Sequence, residues 1–207
     1  MHFRTDFDPL LDLFTAQSNR PEDLQKVDLN ALSPFLRSLL VTDGTVTNFI
    51  QAYTMEPVEV VVLGQRQQVI PTDNKWLELS SGTAVISRRV ILQGRNSHIF
   101  RAYASSTIVT ERLAESFHQG LERDSGGLGH TLNERRIESF RELLWYGKQT
   151  IQQLPDSVWG NIHHKNEKTT SSLELLSRTY RVITNGKPAM LISEVFPSTD
   201  DWVVDNS

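Results

Sequence analysis

Ala84-Val85-Ile86-Ser87-Arg88-Arg89-Val90-Ile91-Leu92 is the most strand-like stretch of the chain, rich in β-branched and aliphatic residues. Gly94-Arg95-Asn96-Ser97 follows with turn composition, and residues 99–109 return to strand composition, so the pair predicts an antiparallel hairpin. A second hairpin signal lies near the C-terminus. There, strand-like residues 180–184 and 189–196 flank Asn185-Gly186-Lys187-Pro188, with Asn185-Gly186 as the tight turn. Two hairpins separated by helical patterns predict an α+β fold with a single, mainly antiparallel sheet flanked by helices.

Working outward, Leu10, Leu11, Leu13 and Phe14 have helical spacing within residues 9–17, and residues 18–28 read as a polar connector. Residues 31–40 predict a helix with Pro34 in its first turn, and Thr45 is placed to cap another helix through Tyr53. Residues 56–63 read as a strand that Gly64 ends, with a loop or irregular edge over 65–75. Further on, residues 110–121 and 131–148 predict helices, the second with Ile137, Phe140, Leu143 and Leu144 along its apolar stripe. Ser125-Gly126-Gly127-Leu128-Gly129 separates them as a flexible loop. No repeat and no linker divides the chain. The expectation is one domain over residues 1–207, with a core of about 31–197, an N-terminal helical extension over 1–30 and an acidic tail over 198–207.

Composition excludes several function classes. The 207 residues carry 21 Lys and Arg against 25 Asp and Glu, a net charge of -4, so no global positive field gathers nucleic acid or anionic membrane. No cysteine is present, which removes disulfides, thiolate metal sites and Cys nucleophiles. No apolar run approaches the ~20 residues of a membrane span, and no basic-then-apolar leader opens the chain. The cytosol is the expected compartment. A monomer is compatible with everything in the sequence.

Because strand side chains alternate, Ala84, Ile86, Arg88, Val90 and Leu92 share a face on which Arg88 alone is charged. Met190, Ile192, Glu194 and Phe196 repeat the anomaly with the opposite sign. An inward arginine needs a carboxylate, supplied by the protein or by a ligand. Arg88 and Glu194 therefore form either a structural ion pair or the two poles of a ligand site, and pattern alone leaves both open.

The chain resembles the chorismate pyruvate-lyase (4-hydroxybenzoate synthase) family, in the branch found in cyanobacteria, plastid genomes, archaea and mycobacteria. The resemblance rests on Leu39-Leu40-Val41-Thr42-Asp43-Gly44-Thr45-Val46-Thr47, Arg88-Arg89-Val90-Ile91-Leu92-Gln93-Gly94-Arg95-Asn96-Ser97, Gly127-Leu128-Gly129, and Asn185-Gly186-Lys187-Pro188 through Glu194, in that order. It implies one antiparallel sheet flanked by helices, a fold shared distantly with effector-binding domains of bacterial transcription regulators. It further implies conversion of chorismate to 4-hydroxybenzoate and pyruvate without metal or organic cofactor, supplying a ring precursor for quinones such as plastoquinone. By this resemblance Arg88 binds the ring carboxylate, Glu194 binds the ring hydroxyl, and backbone groups at Val46 and Leu128 complete a closed pocket. In the proteobacterial branch a second arginine precedes a Thr-Val-Val-Pro stretch. Here the comparable stretch is Ala104-Ser105-Ser106-Thr107-Ile108-Val109, so Arg101, Arg178 and Arg181 are the candidates for the second carboxylate, each read otherwise as a solvated surface charge, and on a strand Arg178 and Tyr180 share one face while Arg181 lies on the other.

Other signals carry less. His163-His164 reads as an exposed loop, His118 and His130 as surface histidines, and the glycines near Leu128 as a mobile segment or lid. The Arg135/Arg136/Glu138/Arg141/Glu142 cluster reads as a solvated helix face. Two readings compete with the lyase: a non-catalytic module that binds small aromatic acids, and a structural protein in which Arg88 pairs with Glu194 and no cavity remains.

Overall fold

The computed structural model describes residues 10, 12–114, 117, 127–134, 136–151, 173–198 and 202. Six strands, β1 Val58–Val69, β2 Ala84–Gly94, β3 Phe100–Ile108, β4 Phe140–Ile151, β5 Leu173–Thr184 and β6 Lys187–Pro197, form one sheet in the order β1-β2-β3-β6-β5-β4. Every adjacent pair is antiparallel. Both hairpins expected from the sequence are present. The β5–β6 turn places Asn185 at φ 50° and Gly186 at φ 74°, the paired positive angles that a tight two-residue hairpin turn demands.

Helices α1 Pro34–Val41, α2 Val46–Thr54 and α3 Leu128–Glu134 lie over one face. Pro34 opens α1, and the Ser33 hydroxyl caps it by accepting from Leu36 N. That face carries two apolar clusters. Leu36, Leu39 and Leu40 of α1 with Val46 and Ile50 of α2 pack on Leu92, Ala102, Leu176 and Phe196. Leu132 of α3 and Phe117 pack on Ile108, Tyr180, Val182, Met190 and Ile192. The opposite face is closed by smaller groups, such as Ile70, Leu77 and Leu79 against Val85 and Val109.

Four sequence expectations change. Gly64 does not end β1: the register shifts between Val62 and Gly64, and the strand continues to Val69 as a polar edge. The helix expected over 131–148 is instead α3 followed by β4. A register shift between Leu143 and Trp145 breaks the two-residue alternation, so the apolar run Leu143-Leu144-Trp145-Tyr146 imitates helical spacing. Within residues 110–121, the described part begins as a 3-10 helix at Thr110–Arg112. In place of the helix expected over 9–17, the described residues there form turns that lead into a 3-10 helix at Gln17–Asn19. This segment covers the β4 edge, with Thr15 N and Ala16 N donating to the carbonyls of Leu143 and Leu144. Ser125, Gly126, His118, His163, His164 and the acidic tail residues Asp200, Asp201 and Asp205 lie outside the described residues.

Two buried arginines tie helix and tail to the sheet. Arg178 stands directly across from Glu194 on β6, and its Nε donates to Glu194 Oε2 at 2.8 Å. Its Nη1 donates to the carbonyls of Leu39, Leu40 and Thr42 at 2.8–3.1 Å, satisfying the C-terminal end of α1. Arg101 donates through Nη1 to the Trp202 carbonyl and through Nη2 to Glu56. Glu56 in turn accepts from Asn96 N, Ser97 N and Ser97 Oγ at 2.7–2.9 Å, holding the β2–β3 turn. A Cβ on Gly94 would collide with that carboxylate, which accounts for the glycine.

Arg178→Met should cost about 3–5 kcal/mol, because Glu194 is left buried without its cation. A double Arg178→Met/Glu194→Leu variant should recover part of this in urea denaturation, though not the α1 carbonyl bonds. At Glu56, burial raises the carboxyl pKa, but the bonds from Ser97, Asn96 and Arg101 outweigh it and hold the group below its ordinary value. A depressed carboxyl stabilises the fold above its unfolded-state pKa and loses that contribution as pH falls through the folded one. Glu56→Gln should therefore cost about 1–2 kcal/mol at neutral pH. The gap to the parent protein should close as pH is lowered below about 4, followed by denaturant midpoint against pH.

Candidate functional site

The two clusters on the helix-covered face do not meet fully, and a cavity of about 60 Å³ lies between them. That is several times the ~10–15 Å³ one water needs by the same measure. Its floor is the sheet, through Arg88, Val90, Leu92, Ala104, Ser106 and Ile192 among others. Its roof comes from the start of α2 and the start of α3, where Val46 and Leu128 are the first helical residues. Gly129 permits this close approach: a Cβ there would lie 3.0 Å from Thr45 Oγ1.

All four residues singled out in the sequence, Arg88, Glu194, Val46 and Leu128, line this one cavity. Arg88 is 2% exposed, and its Nη1 donates to Gln65 Oε1 on the edge strand at 3.2 Å. Cross-strand register places Arg88 opposite Ser106, Ser106 opposite Ile192, and Ile192 opposite Tyr180, one row of side chains across the cavity floor. Glu194 is 6% exposed and carries two bonds, from Arg178 Nε and from the Tyr180 hydroxyl at 3.1 Å. Burial first, then the Glu194 charge, raises the Tyr180 pKa, so the phenol stays neutral and donates to the carboxylate. A carboxylate has about four lone-pair sites, so Glu194 retains capacity to accept from a ligand hydroxyl.

Of the two readings of Arg88 and Glu194, the direct structural pair is not formed among the described residues, where the ion pair that Glu194 makes is with Arg178. Glu194 is thus both a structural partner and a cavity residue. A cavity lined by both charges also runs against the reading that left none.

The three arginines nominated for a second carboxylate are engaged elsewhere. Arg101 holds Trp202 and Glu56, and Arg181, on the opposite face of β5, pairs with Glu142 and the Trp76 carbonyl. Arg178 shares the cavity-side face with Tyr180, as alternation required, but is turned to α1 and does not line the cavity. Sequence reading missed Arg141, which reaches the cavity from β4, because the bulge after Leu143 disguised that strand. The solvated helix face expected for Arg141 is corrected accordingly.

Beyond the Thr45, Thr47 and Gly127 wall lies a wider polar cleft of about 450 Å³, bordered by Arg95 and His130. His130 is exposed there and sits 3.2 Å from Glu134. Among the described residues no three His, Asp or Glu side chains gather to hold a metal ion, and no helix is long and apolar enough to cross a membrane.

Comparison with known proteins bears on this arrangement. The chain is 31% identical over 180 residues to a chorismate pyruvate-lyase of Mycobacterium tuberculosis strain H37Rv, covering 84% of each chain. It is 23% identical over 175 residues to one of Mycobacterium leprae, covering 84% of this chain and 79% of that protein. Among solved structures, the effector domain of PhnF from Mycobacterium smegmatis aligns with a TM-score of 0.50 at 12% identity, over 78% of this chain and 91% of that one. The SA0254 gene product of Staphylococcus aureus aligns with a TM-score of 0.51 at 11% identity, over 75% and 88%. These two speak for the fold alone. The model of the family described as chorismate pyruvate-lyase Rv2949c-like matches residues 40–203, so strands, roof and cavity all fall inside it, and the chain belongs to that family.

Proposed function

We propose that this protein converts chorismate to 4-hydroxybenzoate and pyruvate by an elimination that needs no cofactor, and that the cavity between the two clusters is where it happens. The carrying observation is that Arg88 and Glu194, the two inward charges on otherwise apolar strand faces, line one cavity from β2 and β6. A ring with a carboxylate at C1 and a hydroxyl at C4 suits that pair of charges: the Arg88 fork anchors the carboxylate and Glu194 accepts from the hydroxyl. Backbone groups at Val46 and Leu128, where first-turn N–H groups have no partner within their helices, complete the enclosure.

In the reaction the C3–O bond breaks, the C4 hydrogen leaves, and the ring becomes aromatic. The departing enolpyruvate takes up a proton to give pyruvate. Aromatisation supplies the driving force, so the protein's work is to fix the reactive conformer and keep water away. The 4-hydroxybenzoate formed would serve as the ring precursor of a quinone.

Incubating the purified protein with chorismate should yield equal amounts of 4-hydroxybenzoate and pyruvate, the latter read by coupled reduction to lactate. Arg88→Ala should lower kcat/KM about 100-fold, consistent with loss of a charge-assisted, two-pronged contact. Glu194→Gln, which keeps shape and removes charge, should lower kcat as well. Wild-type rates in both variants would refute the assignment. Binding of 4-hydroxybenzoate without turnover of chorismate would select the non-catalytic module instead.

A further inference from the structure

The geometry points to Arg141 as the group that holds the enolpyruvyl carboxylate of chorismate, and hence as the residue that separates substrate from product. This rests on the lyase reading above. Arg141 lines the cavity with its side chain 12% exposed, on β4 opposite Val182.

Chorismate carries one carboxylate on ring carbon C1 and a second on the enolpyruvyl group attached at C3. C3 adjoins C4, whose hydroxyl is assigned to Glu194, so the second carboxylate must lie towards the Glu194 end and away from Arg88. Across the sheet, β4 lies two strand steps from β6, which carries Glu194, and four from β2, which carries Arg88, about 10 and 19 Å at ~4.8 Å per step. Arg141 also acts electrostatically on the Tyr180 phenol, whose hydroxyl is bonded to Glu194.

Arg141 Nη1 donates to the Asp43 carbonyl at 2.8 Å, which aims the guanidinium beside the Gly44 and Thr45 wall. The Asp43 carboxylate stands 4.0 Å away with its side chain 75% exposed, a solvated neighbour that a buried substrate carboxylate can outcompete. A guanidinium has five donors, and the Asp43 carbonyl takes one of them. Arg101, Arg178 and Arg181, by contrast, are held by buried or facing protein groups.

The test measures chorismate kinetics and calorimetric binding of 4-hydroxybenzoate, which lacks the enolpyruvyl group, in wild type, Arg141→Met and Arg141→Lys. Arg141→Met should raise the chorismate KM about tenfold to a hundredfold, while the 4-hydroxybenzoate Kd moves by less than about twofold. Arg141→Lys should recover part of the KM. Parallel weakening of both ligands would make Arg141 a mere support of the Asp43 loop, and no change in either would leave it no part; both overturn the assignment. The wild-type arm is read separately: no turnover of chorismate there would overturn the lyase reading, and this assignment with it.

Discussion

The buried pair of Arg178 and Glu194 is the constraint on which the rest of the molecule depends. Two charges under a helix are tolerable only if they are paired, and here they stand directly across adjacent strands at 2.8 Å. Nη1 of Arg178 reaches the last carbonyls of α1, so one guanidinium fixes both the Glu194 carboxylate and the point where α1 ends. From that point the chain passes through Asp43 and Gly44 into α2, whose first residue is part of the cavity roof. The carboxylate at the floor and the backbone at the roof are thereby set relative to one another by a single side chain.

This explains why the cavity survives in a fold that otherwise packs densely. Apolar side chains tend to close on one another, but α1 is pinned by Arg178 over Leu176 and Phe196, and α3 is seated over Val182 and Ile192 by Leu132. The gap between them is floored by Arg88, Glu194 and Tyr180, which cannot collapse into hydrocarbon without losing their polar partners. A site made this way is pre-organised. For the elimination proposed above, driven by aromatisation, that would be most of what catalysis needs.

Legibility in the sequence followed physical locality. Strand alternation exposed Arg88 and Glu194 because a single charge interrupts an otherwise apolar face, and Asn185-Gly186 marked its hairpin because both turn angles are positive. What stayed hidden was non-local. The bulge after Leu143 shifted the alternation of β4 and made an edge strand look helical, which misplaced Arg141. Likewise Arg178 showed its face but not its partners, since the carbonyls of Leu39, Leu40 and Thr42 meet it only after the chain has folded over more than 130 residues. Gly64 is ambiguous in sequence because a glycine in a strand pattern marks either an end or a bulge, and composition does not separate the two.

The charge balance of the chain takes on a mechanistic meaning from this layout. Under the proposed reaction the substrate is a dianion, for which a protein of net charge -4 offers no long-range attraction, so its recognition would be made at short range by guanidinium groups in a low-dielectric wall, where each contact is stronger. In that reaction, Arg88 and Glu194 meet the same two groups in substrate and product, because the C1 carboxylate and C4 hydroxyl survive, although C4 flattens and its hydroxyl moves into the ring plane. Such uniform contacts orient the ring but also hold 4-hydroxybenzoate after the bond has broken. Only the wall that faces the C3 substituent meets a different ligand before and after. Any preference for chorismate over its own product must therefore be built there, on the β4 side of the cavity and not at the two residues whose isolation first revealed the site.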